Sequence, residues 1–312
     1  MEIVRSELLG FCSGVSRAIK SALDALGAED GGQKPKKIYS LGPLIHNQIV
    51  LDQLSQKGLK ILQEDQIDSL DADCLVIVRA HGVSPLVLEK IRAKGAQIVD
   101  ATCPRVALSQ RRAAEFSQKG MFVILTGDKG HAEVKAVEGS ALFAATDCKA
   151  EPETACKAKT SGRFVLVQNV SEAAALAVLP EMKNNAVLLS QTTFSPEEYK
   201  KISEILSEKI EGLKVFDTIC PATGERQKAL AALAKKVDAL VVVGGKKSAN
   251  SERLYELAKT LCPASYFVES ADELPKDFGD AKVIGLTAGA SSPDFVIDAV
   301  EARIQAMRVI SI

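Results

Sequence analysis

A chain of 312 residues, 46% hydrophobic and 25% charged, is long enough for two or three buried cores and reads as an ordinary soluble protein. Its formal charge of −1 and pI near 6.4 exclude broad nucleic-acid binding, which needs clustered Lys and Arg, but leave room for a small anion in a local pocket. No run approaches the ~20 apolar residues of a membrane span, and "MEIVRSELLGF" lacks the basic and apolar regions of a signal peptide, so a cytoplasmic location without membrane partners is expected.

In chain order, "GFCSGV" at 10–15 comes first and puts Cys12 ahead of a predicted helix, "VSRAIKSALDAL". Within that helix Val15, Ala18, Ile19, Ala22, Leu23 and Leu26 form one apolar stripe. Strand-like runs then alternate with helical periodicity: "LVIVRA" at 75–80, "FVILTG" at 122–127, "AVLLSQ" at 186–191, "LVVVGG" at 240–245 and "KVIGLTA" at 282–288. This alternation predicts an α/β fold of mainly parallel sheets covered by helices.

Every histidine falls in a strand-end loop: His46 in "LGPLIHN", His81 in "RAHGVSP" and His131 in "GDKGHAEV". Imidazoles donate to phosphate oxygens, so these loops read as anion contacts. Thr192, Thr193, Ser248, Asn250, Ser291 and Ser292 add short donors beside helix starts, where capping is the plainer role and anion binding is compatible with it. Glu133 is the best-placed acid, read either as a proton donor or as a surface carboxylate in a first helical turn.

The chain also repeats itself. "VDATCPRV" at 99–106 is echoed by "FDTICPAT" at 216–223. Gly127 and Gly244 each lie 24 residues after their cysteine, and His131 and Ser248 each lie 28 after it. "AHGVSP", "QTTFSP" and "AGASSP" all end strands with Ser-Pro. Cys12 to Ser84 and Cys220 to Ser292 are both 72 residues, whereas Cys103 to Ser195 is 92, the excess being assigned to a polar insert at 147–162. Three pseudo-equivalent α/β units are therefore expected, at 1–103, 104–218 and 219–312, with strand ends facing one cavity.

Seven cysteines, odd in number and irregularly spaced, read as thiols or metal ligands rather than a disulfide framework. Cys12, Cys103 and Cys220 each precede a helix, an environment suited to an iron-sulfur cluster, and three ligands would leave one iron open for chemistry. Cys74 reads as a core residue, Cys148 and Cys156 as exposed in the insert, and Cys262 as the competitor for a fourth ligand place. Zinc deaminase, metalloprotease and nucleotide-loop motifs are absent or incomplete.

In order, "GFCSGV", "HN" at 46, "AHGVS", "DATCP", "GHAEV", "QTTFS", "TICPATGERQ", "GGKKSANS" and "TAGASSP" resemble the 4-hydroxy-3-methylbut-2-enyl diphosphate reductase family (IspH or LytB) over essentially the whole chain. The resemblance implies a trefoil of three α/β domains around one oxygen-sensitive [4Fe-4S] cluster held by Cys12, Cys103 and Cys220. It implies reductive dehydroxylation of an allylic diphosphate, the last step of the methylerythritol phosphate route to isoprenoids, with reduced ferredoxin or flavodoxin as partner. Carried over by position, His46, His81, His131, Ser248, Asn250 and Ser291 contact the diphosphate, Thr192 the hydroxyl side, and Glu133 supplies the proton. Ala249 stands where family members often have serine, so only its backbone N–H can serve there. The quinolinate synthase type and a non-catalytic redox sensor or electron carrier are the competing readings.

Overall fold

The computed structural model describes residues 2–27, 37–146 and 163–310. The insert expected at 147–162, with Cys148 and Cys156, lies outside them. Among the described residues the strands are β1 (Glu2–Arg5), β2 (Lys37–Leu41), β3 (Leu59–Leu62), β4 (Cys74–Val78), β5 (Gln97–Asp100), β6 (Phe122–Thr126), β7 (Phe164–Val167), β8 (Ala186–Ser190), β9 (Lys214–Val215), β10 (Ala239–Val243), β11 (Ser265–Val268) and β12 (Val283–Ala288). The α-helices are α1 (Ser13–Gly27), α2 (Gln48–Gln56), α3 (Pro85–Ala93), α4 (Pro104–Gln118), α5 (Ala132–Thr146), α6 (Val170–Ala175), α7 (Pro196–Lys209), α8 (Pro221–Ala234), α9 (Ala249–Leu261) and α10 (Asp294–Ile310). None of them is long and apolar enough to cross a membrane.

The α/β expectation holds, with three four-stranded parallel sheets in the orders β3-β2-β4-β5, β7-β6-β8-β9 and β11-β10-β12-β1. The three orders are one topology repeated. In the third sheet, however, the fourth strand is β1, paired with β12 from Glu2↔Val283 to Arg5↔Leu286. The segment that the spacing put at the head of the first unit thus completes the last sheet. Each of Cys12, Cys103 and Cys220 consequently follows a fourth strand, β1, β5 or β9.

The chain forms two compact units, one of residues 1–23, 43–58 and 221–312, the other of residues 24–42 and 59–220. In the second, the period-2 alternation of β6 and β8 sorts side chains between two cores. Ile124 and Leu188 pack on Tyr199, Ile202 and Leu206 of α7, while Val123, Leu125, Val187 and Leu189 pack on Phe116 of α4 and on Val134 and Val137 of α5. The sheet of β2 to β5 buries Val76 and Val78 against Val87 and Ile91 of α3.

The first unit repeats the arrangement. Val241 and Leu286 face Ile297, Val300 and Ile304 of α10, and Leu240 and Val242 face Leu230 and Leu233 of α8 and Leu254 of α9. β4, β6, β8 and β10 are buried along their whole length because both faces are covered, which is why they read as near-continuous hydrophobic runs. Each fully buried Leu or Ile contributes about 1.5–3 kcal/mol. The polar loops at the carboxyl ends of the strands are held against these cores.

Candidate functional site

The repeated aspartate has a local purpose. Asp100 Oδ1 accepts the Thr102 N–H at 2.9 Å and Asp217 Oδ1 accepts the Ile219 N–H at 2.9 Å, so each Asp-x-x-Cys-Pro closes an Asx turn from strand to helix. The cysteine N–H then donates to a carbonyl in a Ser-Pro loop: Cys103 to Ala80 at 2.9 Å, Cys220 to Thr192 at 2.8 Å and Cys12 to Ala290 at 3.1 Å. All three cysteines are half-buried. Cys103 is the N-cap of α4, and Cys12 and Cys220 immediately precede α1 and α8. Proline as the next residue after Cys103 and Cys220 gives up no helical hydrogen bond.

Cys74 and Cys262 have other surroundings. Cys74 is fully buried in the β2–β5 core, where burial pushes its thiol up and the Asp71 carboxylate adds to the effect. Cys262 lies in the apolar core beneath α9, with its thiol donating to the Asp238 carbonyl at 3.4 Å.

Within the second unit, the expected site residues form a connected series. Glu133 opens α5 yet is only 1% exposed, and both of its carboxylate oxygens are held by one residue: Oε1 accepts the Thr192 N–H and Oε2 the Thr192 hydroxyl, each at 2.7 Å. The surface-carboxylate alternative for Glu133 is thereby set aside. The Glu133 N–H donates to His131 Nδ1 at 3.2 Å, so in its neutral form the ring carries its proton on Nε2. His131 meets the edge of His81, with ring centroids 5.3 Å apart and planes perpendicular. Thr192, which holds Glu133, also receives the Cys220 N–H on its carbonyl.

Within the first unit, a second group gathers on the loop that carries His46. The Ser291 hydroxyl donates to the His46 carbonyl at 3.4 Å. Gly245 passes so close that a Cβ there would lie 2.1 Å from the same carbonyl oxygen, which explains the glycine in "GGKKS". Asn47 caps α2 by accepting the Val50 N–H, and Ser248 caps α9 by accepting the Ser251 N–H. Ala249 occupies the first turn of α9. Beside it, Asn250 Nδ2 is buried without a hydrogen-bond partner among the described residues.

Ser84 and Ser195 cap α3 and α7 as their Ser-Pro pattern suggests, but Ser292 instead donates to the Val243 carbonyl at 2.8 Å.

Two supporting residues stand outside the expected set. Gln191, fully buried, accepts the Asp128 N–H and donates to Asp128 and Thr193, joining the His131 loop to the Thr192 loop. Gln110 on α4 donates to the Val83 and Ala136 carbonyls and to Ser140, joining the His81 loop to α5. A glutamine ending the apolar run "AVLLSQ" was a usable signal for the first. For Gln110 there was none, since helical glutamines are mostly solvated.

A family model described as LytB protein matches residues 3–305. The chain is 40% identical to the 4-hydroxy-3-methylbut-2-enyl diphosphate reductase of Treponema denticola, over 97% of this chain and 99% of that one. It is 36% identical to the protein of the same name from Thermoanaerobacter sp., over 99% and 98%. A solved structure described as (E)-4-hydroxy-3-methyl-but-2-enyl diphosphate reductase, the terminal enzyme of the non-mevalonate pathway, superimposes with a TM-score of 0.66 at 32% identity, covering 98% of this chain and 99% of that one. The corresponding reductase from Plasmodium falciparum superimposes with a TM-score of 0.81 at 25% identity, over 95% and 86%.

Proposed function

This chain belongs to the LytB family, and we propose that it is a 4-hydroxy-3-methylbut-2-enyl diphosphate reductase. The reaction takes (E)-4-hydroxy-3-methylbut-2-enyl diphosphate, two electrons and two protons to isopentenyl or dimethylallyl diphosphate and water. It is the closing step of the methylerythritol phosphate route, run in the cytoplasm with reduced ferredoxin or flavodoxin as electron donor.

The cofactor in this reading is one [4Fe-4S] cluster on Cys12, Cys103 and Cys220. The donor set fits: three half-buried thiols in equivalent places after fourth strands, while Cys74 and Cys262 lie in apolar cores. When bound, such a cluster supplies single electrons and one iron free of protein ligands as a Lewis acid.

The protein's own groups divide the remaining work. His46, His81, His131, Ser248, Asn250, Ser291 and the Ala249 N–H take the diphosphate, by neutral and charge-assisted donation. The buried Asn250 Nδ2 supports this, because an unsatisfied donor costs about 1–3 kcal/mol and a phosphate oxygen would relieve that cost. Thr192 orients Glu133 and offers its hydroxyl oxygen on the side where the substrate hydroxyl is lost. Glu133, once protonated, delivers the proton that turns the leaving hydroxyl into water.

The observation that carries the proposal is the buried Glu133 carboxylate fixed through both oxygens by Thr192. Glu133→Gln keeps size and polarity and removes the acid, so it should retain the cluster's absorption but lose about 10²-fold or more of the turnover with a reduced donor. Wild-type turnover by that variant in an anaerobic assay would remove Glu133 from the mechanism.

A further inference from the structure

Helices α1, α4 and α8 each follow a candidate cluster ligand, and the sixth residue after that ligand is buried in all three: Ala18, Ser109 and Arg226 are 0%, 1% and 6% exposed. Two of these positions hold small side chains. The third holds a full guanidinium, which is expensive to bury unless its donors are satisfied. Arg226 Nη1 donates to the carbonyls of Leu8 at 3.3 Å and Ala288 at 3.2 Å, and Nη2 donates to that of Gly10 at 2.7 Å. Two of those carbonyls belong to the short loop between β1 and Cys12, and the other ends β12.

That loop is tied to the β12 side at both ends. The Ser6 N–H donates to the Leu286 carbonyl at 2.8 Å and the Cys12 N–H to the Ala290 carbonyl at 3.1 Å. Between these ties the chain must turn, and Gly10 does so with φ +73°, at a point where a Cβ would lie 2.4 Å from Asp294 Oδ1. A loop forced into this path has carbonyls that point away from the regular ladder. Arg226 collects two of them.

We propose that Arg226 is the positioning residue for Cys12: its buried guanidinium staples residues 8–10 to the end of β12 and so fixes the backbone from which the Cys12 thiol projects. The proposal rests on the reading of Cys12 as a cluster ligand. A planar fork of donors suits this task better than an ammonium, because it reaches carbonyls from two chain segments at once in fixed geometry. Its positive charge also remains beside the loop that carries an anionic ligand.

The test compares wild type, Arg226→Lys and Arg226→Met as full-length chains. Residue-resolved amide exchange and iodoacetamide alkylation are measured on the apoprotein, and EPR and iron content on the anaerobically reconstituted, reduced holoprotein. In Arg226→Met, exchange of the Cys12 amide should rise about tenfold or more on loss of charge-assisted bonds, with the Ser6 amide little changed. Cys12 should alkylate faster while Cys103 and Cys220 do not, the cluster EPR signal should shift or weaken, and Arg226→Lys should restore part of each property.

Unchanged Cys12 exchange and alkylation in Arg226→Met would overturn the proposal. So would a uniform rise at Cys12, Ser6, Cys103 and Cys220, since that reports general loosening. If Arg226→Met does not fold, Arg226→Lys is judged by the same pattern, selective at Cys12 for the proposal and uniform or absent against it. Wild-type protein that takes up no cluster would defeat the cluster reading separately, leaving the apoprotein measurements to decide the role of Arg226.

Discussion

At the scale of residues, Thr192 is the side chain on which the proposed chemistry leans most after Glu133 itself. It gives one carboxylate two donors, of which only the hydroxyl can be removed by substitution. Thr192→Val keeps the shape and the backbone N–H, so cluster content should be unchanged while kcat falls about tenfold to a hundredfold, the range for a hydrogen bond to a charged group. Thr192→Ser should stay within about threefold of wild type, because the donor returns with little change in volume. Steady-state kinetics on holoprotein of matched iron content decides the matter, and a loss in Thr192→Ser with none in Thr192→Val would mean that the methyl contact, not the hydroxyl, is what counts. The histidines, Glu133 and Thr192 were all legible in the sequence, since chemistry-bearing residues in strand-end loops stand out against apolar runs. Gln191 left a signal at the end of an apolar run, whereas Gln110 left none, because what it does is set by carbonyls far away in the chain.

At the scale of elements, the glycines near α9 show how closely the first unit is packed. Ser251 is fully buried with no hydrogen-bond partner for its hydroxyl among the described residues, and a Cβ at Gly244 or Gly289 would lie 2.5 Å or 1.9 Å from that oxygen. Gly245 is the most constrained in functional terms, because its neighbour is the backbone of His46 rather than a movable side chain. Gly245→Ala should therefore cost about 1–3 kcal/mol through overpacking and also displace the His46 loop. The expected signature is a lower Tm together with a raised KM for the diphosphate substrate, and a lower Tm with unchanged KM would separate the packing of Gly245 from the anion site. The physical reason for Gly245 is close approach between two backbones, and for Gly244 the buried Ser251 side chain.

At the scale of the whole molecule, three sheets of one topology each deliver a cysteine after the fourth strand. If those cysteines share one cluster, Cys12→Ser, Cys103→Ser and Cys220→Ser should each lose most of the bound iron and the cluster absorption, whereas Cys74→Ser and Cys262→Ser should keep both. Iron counting after anaerobic purification checks this, and a Cys103→Ser protein with an unchanged spectrum would contradict its role as ligand. By itself the sequence determined the α/β class, the three cysteine loops, the histidine loops and the repeat, because strand periodicity and the Ser-Pro dipeptide are local and recur in all three copies, and the Asx turn in two of them. Only the tertiary structure decided that β1 joins β12 and that Arg226 reaches into the Cys12 loop. A short strand offers the same backbone hydrogen bonds to any parallel edge, and its place is set by which sheet still lacks a fourth member. Likewise, a helical arginine reads as solvated until the fold brings unpaired carbonyls within its reach.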